Sequence, residues 1–177
     1  MPPTARPAIN QSEDAFRRIL RSLRVAARRT QTAVGISAAQ LFVLHMVAEG
    51  DECSLSELAT RTMTDRTSVA AVVERLIERG LVSREGSRVD RRRAAISITR
   101  KGRALLARAP EPPAALLVAG LETLSTRRLS VLARSLEALV AAMALDDQPA
   151  GLMFDDGDDT RSTPVRAARQ SRKAKLV

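Results

Sequence analysis

The sequence predicts a mainly α-helical protein that carries one small β-hairpin. Three observations predict this class: apolar residues recur at spacings of three and four along much of the chain, residues that cap helices precede these stretches, and one segment alternates between apolar and polar residues. The composition is 45% hydrophobic, which is enough for a packed core. We therefore expect one folded domain with extensions at both ends.

The composition also disfavours several classes of protein. No stretch reaches the roughly 18 apolar residues of a membrane span, and the first residues lack the apolar segment of a secretion signal. Cys53 is the single cysteine, which excludes an internal disulfide and a multi-cysteine zinc site. We therefore expect a cytoplasmic protein with no membrane partner, no metal and no cofactor.

The first predicted helix begins near Ser12. Apolar residues recur along it at helical spacing: Phe16, Ile19, Leu20, Leu23, Ala26 and Ala27. Its other faces carry six arginines, which we interpret as a solvated surface: Arg17, Arg18, Arg21, Arg24, Arg28 and Arg29. Residues 1–11 contain three prolines and few apolar side chains, so we expect them to form a flexible arm.

Three further helices are predicted by their capping residues. Ser37 with Gln40, and Ser54 with Glu57, have the spacing of capping boxes, in which each side chain bonds the other residue's backbone amide. Asp65 can cap the next helix, whose apolar positions are Val69, Val72, Val73, Leu76 and Ile77. Two capped helices that are separated only by residues 62–64 indicate a helix-turn-helix.

A basic hairpin follows this unit. Residues 81–85 and 94–99 are predicted as strands, and the loop between them contains Arg88, Asp90, Arg91, Arg92 and Arg93. Residues 82–103 hold eight arginines and lysines against Glu85 and Asp90, a net charge of +6. The whole chain has a net charge of +9, so this segment supplies most of it. Such a concentration of positive charge is typical of a surface that binds a polyanion.

The remaining chain is predicted as two helical regions and a tail. A helix that starts after Thr99 is interrupted by three prolines between residues 110 and 113 and then resumes, and Ser125 begins a long final helix. Residues 146–177 hold six acidic and then six basic residues with little apolar periodicity, so we expect a disordered tail. The predicted folded domain is therefore residues 12–145.

The segments "LSELATRT", "TDRTSVAAVVERLIERGLVSR" and "VDRRRAAISITRKGRALL" resemble the MarR family of winged helix-turn-helix regulators in order and spacing. The resemblance implies a DNA-binding core over residues 37–99, with N- and C-terminal helices that intertwine with those of a second copy. It implies a homodimer on pseudo-palindromic double-stranded DNA. It also implies a small anionic or aromatic effector that relieves this binding. The proline-broken fifth helix and the long tail depart from the family pattern.

The candidate DNA-binding residues fall into two groups. Readout of the major groove needs short polar side chains near a helix start and small residues that let the backbone approach. The helix that Asp65 caps is the predicted recognition helix, and its candidate residues are Asp65, Arg66, Thr67, Ser68, Ala70 and Ala71. The basic hairpin corresponds to the wing of this family. There the resemblance assigns Arg92 to the minor groove and Asp90 to holding the Arg92 guanidinium. Phosphate contacts are expected of the other wing arginines: Arg84, Arg88, Arg91 and Arg93.

Other residues are weaker candidates. Arg24, Arg28 and His45 are the candidates for an effector site, because the resemblance implies a ligand cleft near His45, although a histidine within a helix is more often structural. Cys53 is interpreted as a structural residue, since the neighbouring Asp51 and Glu52 would raise the pKa of its thiol and so oppose a redox role.

These observations favour a DNA-binding transcriptional regulator of repressor type, relieved by a ligand. The alternative is an architectural or nucleoid-associated protein that binds DNA without ligand regulation. An enzyme is disfavoured, because the sequence has no Ser-His-Asp set and no phosphate-binding glycine loop.

Overall fold

The computed structural model describes residues 5–50, 52–86, 94–147 and 151–154. Within these ranges the elements follow the order α1 (Ala5–Val34), α2 (Ala38–Ala48), α3 (Leu55–Thr62), α4 (Arg66–Glu78), β1 (Val82–Gly86), β2 (Ala94–Ile98), α5 (Arg100–Leu106), α6 (Pro113–Glu122) and α7 (Thr126–Ala142). The predicted class, mainly helical with a small β-hairpin, is confirmed.

The first helix begins earlier than the sequence predicts. α1 starts at Ala5 rather than near Ser12, so the predicted arm is helical from Ala5 onward, and residues 1–4 lie outside the described ranges. Pro7 is compatible with this start because the first backbone amides of a helix have no partner within the helix. The helix ends at Val34, and the next residue, Gly35, has a φ of +70°, which suits a glycine.

α2 is the central helix of the core. Both predicted capping boxes are present, Ser37 with Gln40 at the start of α2 and Ser54 with Glu57 at the start of α3. Seven of the 11 residues of α2 are buried, and they pack against α3, α4, α5 and β2. α4 faces this core with four buried side chains: Val69, Val72, Val73 and Leu76.

The hairpin contains one contact that the sequence did not predict. β1 and β2 pair antiparallel from Val82 opposite Ile98 to Gly86 opposite Ala94. Cys53, just before α3, also pairs with β2 through two backbone hydrogen bonds, of 3.1 and 2.8 Å, with Ile96. The buried cysteine thereby attaches the start of α3 to the hairpin.

The three helices after the hairpin differ in what they contact. α5 is short and lies against the residue before β1: a Cβ at Gly102 would be 2.2 Å from the carbonyl oxygen of Leu81. The predicted break at the prolines is confirmed, with α6 beginning at Pro113. α6 packs against α1, and α7 follows from its Ser125 cap with no buried residue in the chain as described.

The folded region extends beyond the predicted boundary at residue 145. Leu152 is 9% exposed and belongs to the same core cluster as the buried residues of α2 and α4. A residue of the predicted disordered tail therefore contributes to the core. The rest of the predicted tail, residues 155–177, lies outside the described ranges.

Among the described helices, none is by itself long and apolar enough to cross a membrane. Only α1 and α2 taken together reach the required length and apolarity, and they are bent by 73° relative to each other.

Candidate nucleic-acid interface

The turn between α3 and α4 is fixed by backbone and hydroxyl contacts. Met63 adopts the left-handed conformation with φ of 51°, and the Thr64 amide donates a 3.0 Å hydrogen bond to the Ala59 carbonyl. The Thr62 hydroxyl donates to the Leu58 carbonyl at 2.8 Å. These contacts tie the turn to the last two turns of α3, and so they fix the direction in which α4 follows.

Asp65 organises the first turn of α4. One carboxylate oxygen, Oδ1, accepts hydrogen bonds from the backbone amides of Thr67 and Ser68, both at 2.9 Å. The other, Oδ2, accepts from the Ser68 hydroxyl at 2.5 Å. These hydrogen bonds, that of the Ser68 hydroxyl above all, lower the pKa of Asp65. Asp65 and Ser68 thus bond to each other, and both stabilise the helix start.

The remaining predicted residues of α4 differ in exposure. Arg66, Thr67 and Ala71 are exposed, whereas Ser68 and Ala70 are half-buried. The opposite side of the helix is fully buried in the core. The polar groups that α4 presents to solvent at its start are therefore the Arg66 guanidinium and the Thr67 hydroxyl, with the small Ala71 one turn further along.

An ion pair connects α4 to the hairpin. The Arg84 guanidinium lies 2.7 Å from a carboxylate oxygen of Glu74, and both side chains are partly exposed. The sequence assigned Arg84 to phosphate contact, but part of its charge is offset by Glu74. The other predicted wing residues lie outside the described ranges: Arg88, Asp90, Arg91, Arg92 and Arg93.

Arg61 is a positioning residue that sequence reasoning missed. Its guanidinium donates to the Met46 carbonyl at 2.7 Å and pairs with the Glu49 carboxylate at 2.5 Å. It therefore joins the last turn of α3 to the end of α2. An arginine in the last turn of a helix is a weak signal, because most such residues interact only with their own helix end.

The candidate effector residues are not joined by a hydrogen bond within the described ranges. Arg24 and Arg28 are exposed on α1, while His45 is half-buried on α2. The His45 Nε2 atom is buried and has no hydrogen-bond partner among the described residues. Burial lowers the pKa of His45, an effect that Glu49 and Glu111 partly oppose. A neutral imidazole is therefore favoured at this position.

Cys53 is inaccessible and structural, as the sequence indicated, but for a different physical reason. Cys53 is 5% exposed, and burial is the main cause of the raised pKa of its thiol, with Arg61 opposing the rise and Glu57 adding to it. Over the described parts of the chain, no group of three or more His, Cys, Asp or Glu side chains is arranged to hold a metal ion.

Comparison with known proteins agrees with this geometry. The model of the MarR family matches residues 34–93. A transcriptional regulatory protein named for the hcr operon of Thauera aromatica is 36% identical over 87 residues, which are 49% of this chain and 52% of the relative. The alignment thus spans about half the length of that relative.

Two solved structures are similar over most of the chain. A MepR-like protein complexed with pseudoligands has a TM-score of 0.54 at 21% identity, covering 76% of this chain and 95% of its own. BpsR of Bordetella bronchiseptica has a TM-score of 0.51 at 25% identity, covering 72% and 91%. The order of helices, the turn before α4 and the hairpin after it are those of a winged helix-turn-helix fold, and within it residues 34–93 match the MarR family of regulators.

Proposed function

We propose that this protein is a transcriptional regulator that binds DNA by placing the start of α4 in the major groove. The observation that carries this proposal is the two-sided character of α4. Its apolar side is buried in the core, while Arg66 and Thr67 are exposed beside a capped first turn. The major groove admits one helix, and side chains near its start reach base edges and phosphates.

The regulator is proposed to act as a homodimer. α7 has no buried residue within the described chain, although it carries six large apolar residues: Leu129, Val131, Leu132, Leu136, Leu139 and Val140. On α1, Phe16, Ile19 and Leu20 are between 38% and 45% exposed. Large exposed apolar surfaces of this kind are usually covered by a partner. A second copy would cover them symmetrically and present two α4 helices to a pseudo-palindromic site.

The proposed regulation is repression that a small ligand relieves. BpsR is described by the regulation of its DNA binding by 6-hydroxynicotinic acid, an aromatic acid. For this chain we infer an anionic or aromatic effector, with Arg24, Arg28 and His45 as the candidate contacts. The proposal assigns no catalytic step, and it places the protein in the cytoplasm, where operator DNA is accessible.

The experiment that tests DNA readout starts from selection of bound sequences with the purified protein. Fluorescence anisotropy then compares the selected duplex with a scrambled one. Thr67→Val and Arg66→Ala should each weaken binding to the selected duplex by about 1–3 kcal/mol. The matched controls are Thr126→Val and Arg127→Ala, which change the same residue types in the first turn of α7.

The outcomes separate regulation from simple DNA binding. Equal affinity for selected and scrambled duplexes would favour an architectural protein. Loss of binding in the α7 controls equal to that of the α4 variants would reject α4 as the reading helix. Addition of 6-hydroxynicotinate or benzoate at millimolar concentration tests the effector, and unchanged binding with both would reject an aromatic acid.

The wing remains part of the proposal. Arg92→Ala is expected to weaken binding to the selected duplex by about 1–3 kcal/mol, and Arg91→Ala by less. Asp90→Ala should also weaken binding, because Asp90 is expected to hold Arg92, although the variant removes a negative charge. Tighter binding by Asp90→Ala, with unchanged preference for the selected duplex, would show that the wing acts only as a cationic loop.

A further inference from the structure

The end of the recognition helix contacts two other segments through Arg79. The Arg79 guanidinium donates a hydrogen bond of 2.6 Å from Nη1 to the Gly35 carbonyl oxygen. The Lys101 ammonium donates one of 2.6 Å to the Arg79 carbonyl oxygen. We call Gly35, Arg79 and Lys101 the junction. It brings together the end of α1, the end of α4 and the beginning of α5.

Gly35 connects Arg79 to the first helix. The Gly35 amide donates a 2.9 Å hydrogen bond to the Gln31 carbonyl in the last turn of α1, and its positive φ turns the chain toward α2. The orientation of the Gly35 carbonyl therefore depends on where α1 ends. A cation at the carbonyl end of a helix is also favoured electrostatically. Through this contact, α4 is held relative to the long helix that we propose to pack against the second copy.

The start of α5 holds the same end of α4 from another direction. The Thr99 hydroxyl donates to the Gly80 carbonyl at 2.8 Å, and Gly102 lies so close to Leu81 that no side chain would fit. Lys101 adds the contact to Arg79. α5 leads into α6, which packs on α1. The contact of Arg79 with Gly35 and its contact with Lys101 therefore both connect α4 to helices with exposed apolar side chains.

We propose that Arg79 is a positioning residue that sets the distance and angle between the two recognition helices of the dimer. This inference rests on the proposed function, because it assumes that a dimer reads two half-sites. A dimer gains both half-site contacts only when its two helices match the spacing of the DNA sites. Loosening the contact between α4 and α1 should therefore affect the choice of spacing more than the contacts within one half-site.

The test uses duplexes in which two copies of the selected half-site are separated by spacings that change one base pair at a time. The wild-type protein should prefer one spacing. Arg79→Met, which keeps the aliphatic stem and removes the donor, should reduce the ratio between the best and neighbouring spacings by about fivefold or more. Binding to a single half-site should change by less than twofold, a margin of about 0.4 kcal/mol. Arg79→Lys retains a cationic donor and should restore most of the ratio.

A matched control removes the same charge elsewhere. Arg108 is exposed after α5 and has no side-chain hydrogen bond to the described residues. Arg108→Met should leave the spacing ratio unchanged. An equal loss in Arg79→Met and Arg108→Met would indicate a general charge effect and overturn the proposal. So would an unchanged spacing ratio in Arg79→Met, or a failure of Arg79→Lys to recover it.

A second measurement does not depend on DNA. Spin labels on Thr67→Cys would report the distance between the two α4 helices, since the native Cys53 is buried and should not react. The distance distribution should broaden in Arg79→Met at unchanged melting temperature, and an unchanged distribution would overturn the proposal. A wild-type protein that selects no two-site DNA rejects the proposed function and this inference together. Selective wild-type binding with an unaffected Arg79→Met rejects the inference alone.

Discussion

Helices α2 and α7 show how differently two parts of this chain use their apolar residues. Seven of the 11 residues of α2 are buried, whereas none of the 17 residues of α7 is. Leu44 on α2 is completely buried, and Leu136 on α7 is 38% exposed. The winged-helix core closes within one chain, whereas α1, α6 and α7 leave large apolar side chains exposed. An apolar stripe at helical spacing thus indicates burial without saying against which chain.

The largest effect is expected when a leucine is replaced by alanine in each of these two helices. Leu44→Ala should lower the free energy of unfolding by about 2–5 kcal/mol, because it opens a cavity in a closed core. This loss should not depend on protein concentration. Leu136→Ala should have an effect that grows with protein concentration, since its partner is proposed to be a second copy. Urea unfolding at two concentrations measures both, and a concentration-independent cost for Leu136→Ala would break the comparison.

The next largest effect is expected from truncations that test where the core ends along the chain. A chain that ends after residue 145 loses Leu152, so its free energy of unfolding should fall by about 1.5–3 kcal/mol. A chain that ends after residue 154 retains Leu152 and should unfold like the full-length protein. Thermal unfolding of both truncations decides this. If the two were equally stable, Leu152 would not contribute to the core, and the boundary at residue 145 would be adequate.

A smaller effect is expected when the residues that cap α4 and α7 are replaced. Asp65→Ala should destabilise the core by about 0.5–2 kcal/mol, because two backbone amides lose their acceptor. Ser125→Ala at the start of α7 should cost less, because its hydroxyl accepts one amide at 3.5 Å. Chemical denaturation of both variants measures the difference, and a larger cost at Ser125 would contradict it.

The Asp65 cap also has a defined pH dependence. The pKa of Asp65 is lowered in the folded state. The contribution of Asp65 to the free energy of unfolding is therefore fully present above the ordinary pKa of 3.8, and it is lost as the pH falls through the lower pKa of the folded state. Asp65→Asn keeps an acceptor and should remove this dependence.

The smallest expected effect is a pH dependence within α2. Burial lowers the pKa of His45 below its ordinary value of 6.5, so the folded state binds this proton less readily than the unfolded state. Stability should therefore fall as the pH decreases through 6.5 and below. His45→Gln should reduce that slope, which unfolding measured between about pH 7 and 5 would detect. An identical slope in the variant would show that His45 is not the responsible group.

Much of the fold could be predicted from local signals. The capping boxes at Ser37 and Ser54, the Asp65 cap and the break before Pro113 each depend on neighbouring residues, and the structure has all of them. The start of α1 was predicted too late, because prolines were interpreted as marks of a flexible arm. A proline in the first helical turn carries no such penalty. The groove-facing candidates Arg66 and Thr67 stay a prediction that DNA binding must test.

The sequence by itself determined where the helices after α1 begin, which residues are apolar and where positive charge is concentrated, because these follow from local spacing and composition. Only the tertiary structure decided the contacts of Cys53, Arg61, Arg79 and Leu152. Cys53 pairs with Ile96, 43 residues away, and Arg79 contacts Gly35, 44 residues away. Periodicity carries no information about such distant pairs, since they depend on how the helices pack and where the chain turns. The folded arrangement therefore lets an arginine at the end of α4 donate a hydrogen bond to the residue that follows α1.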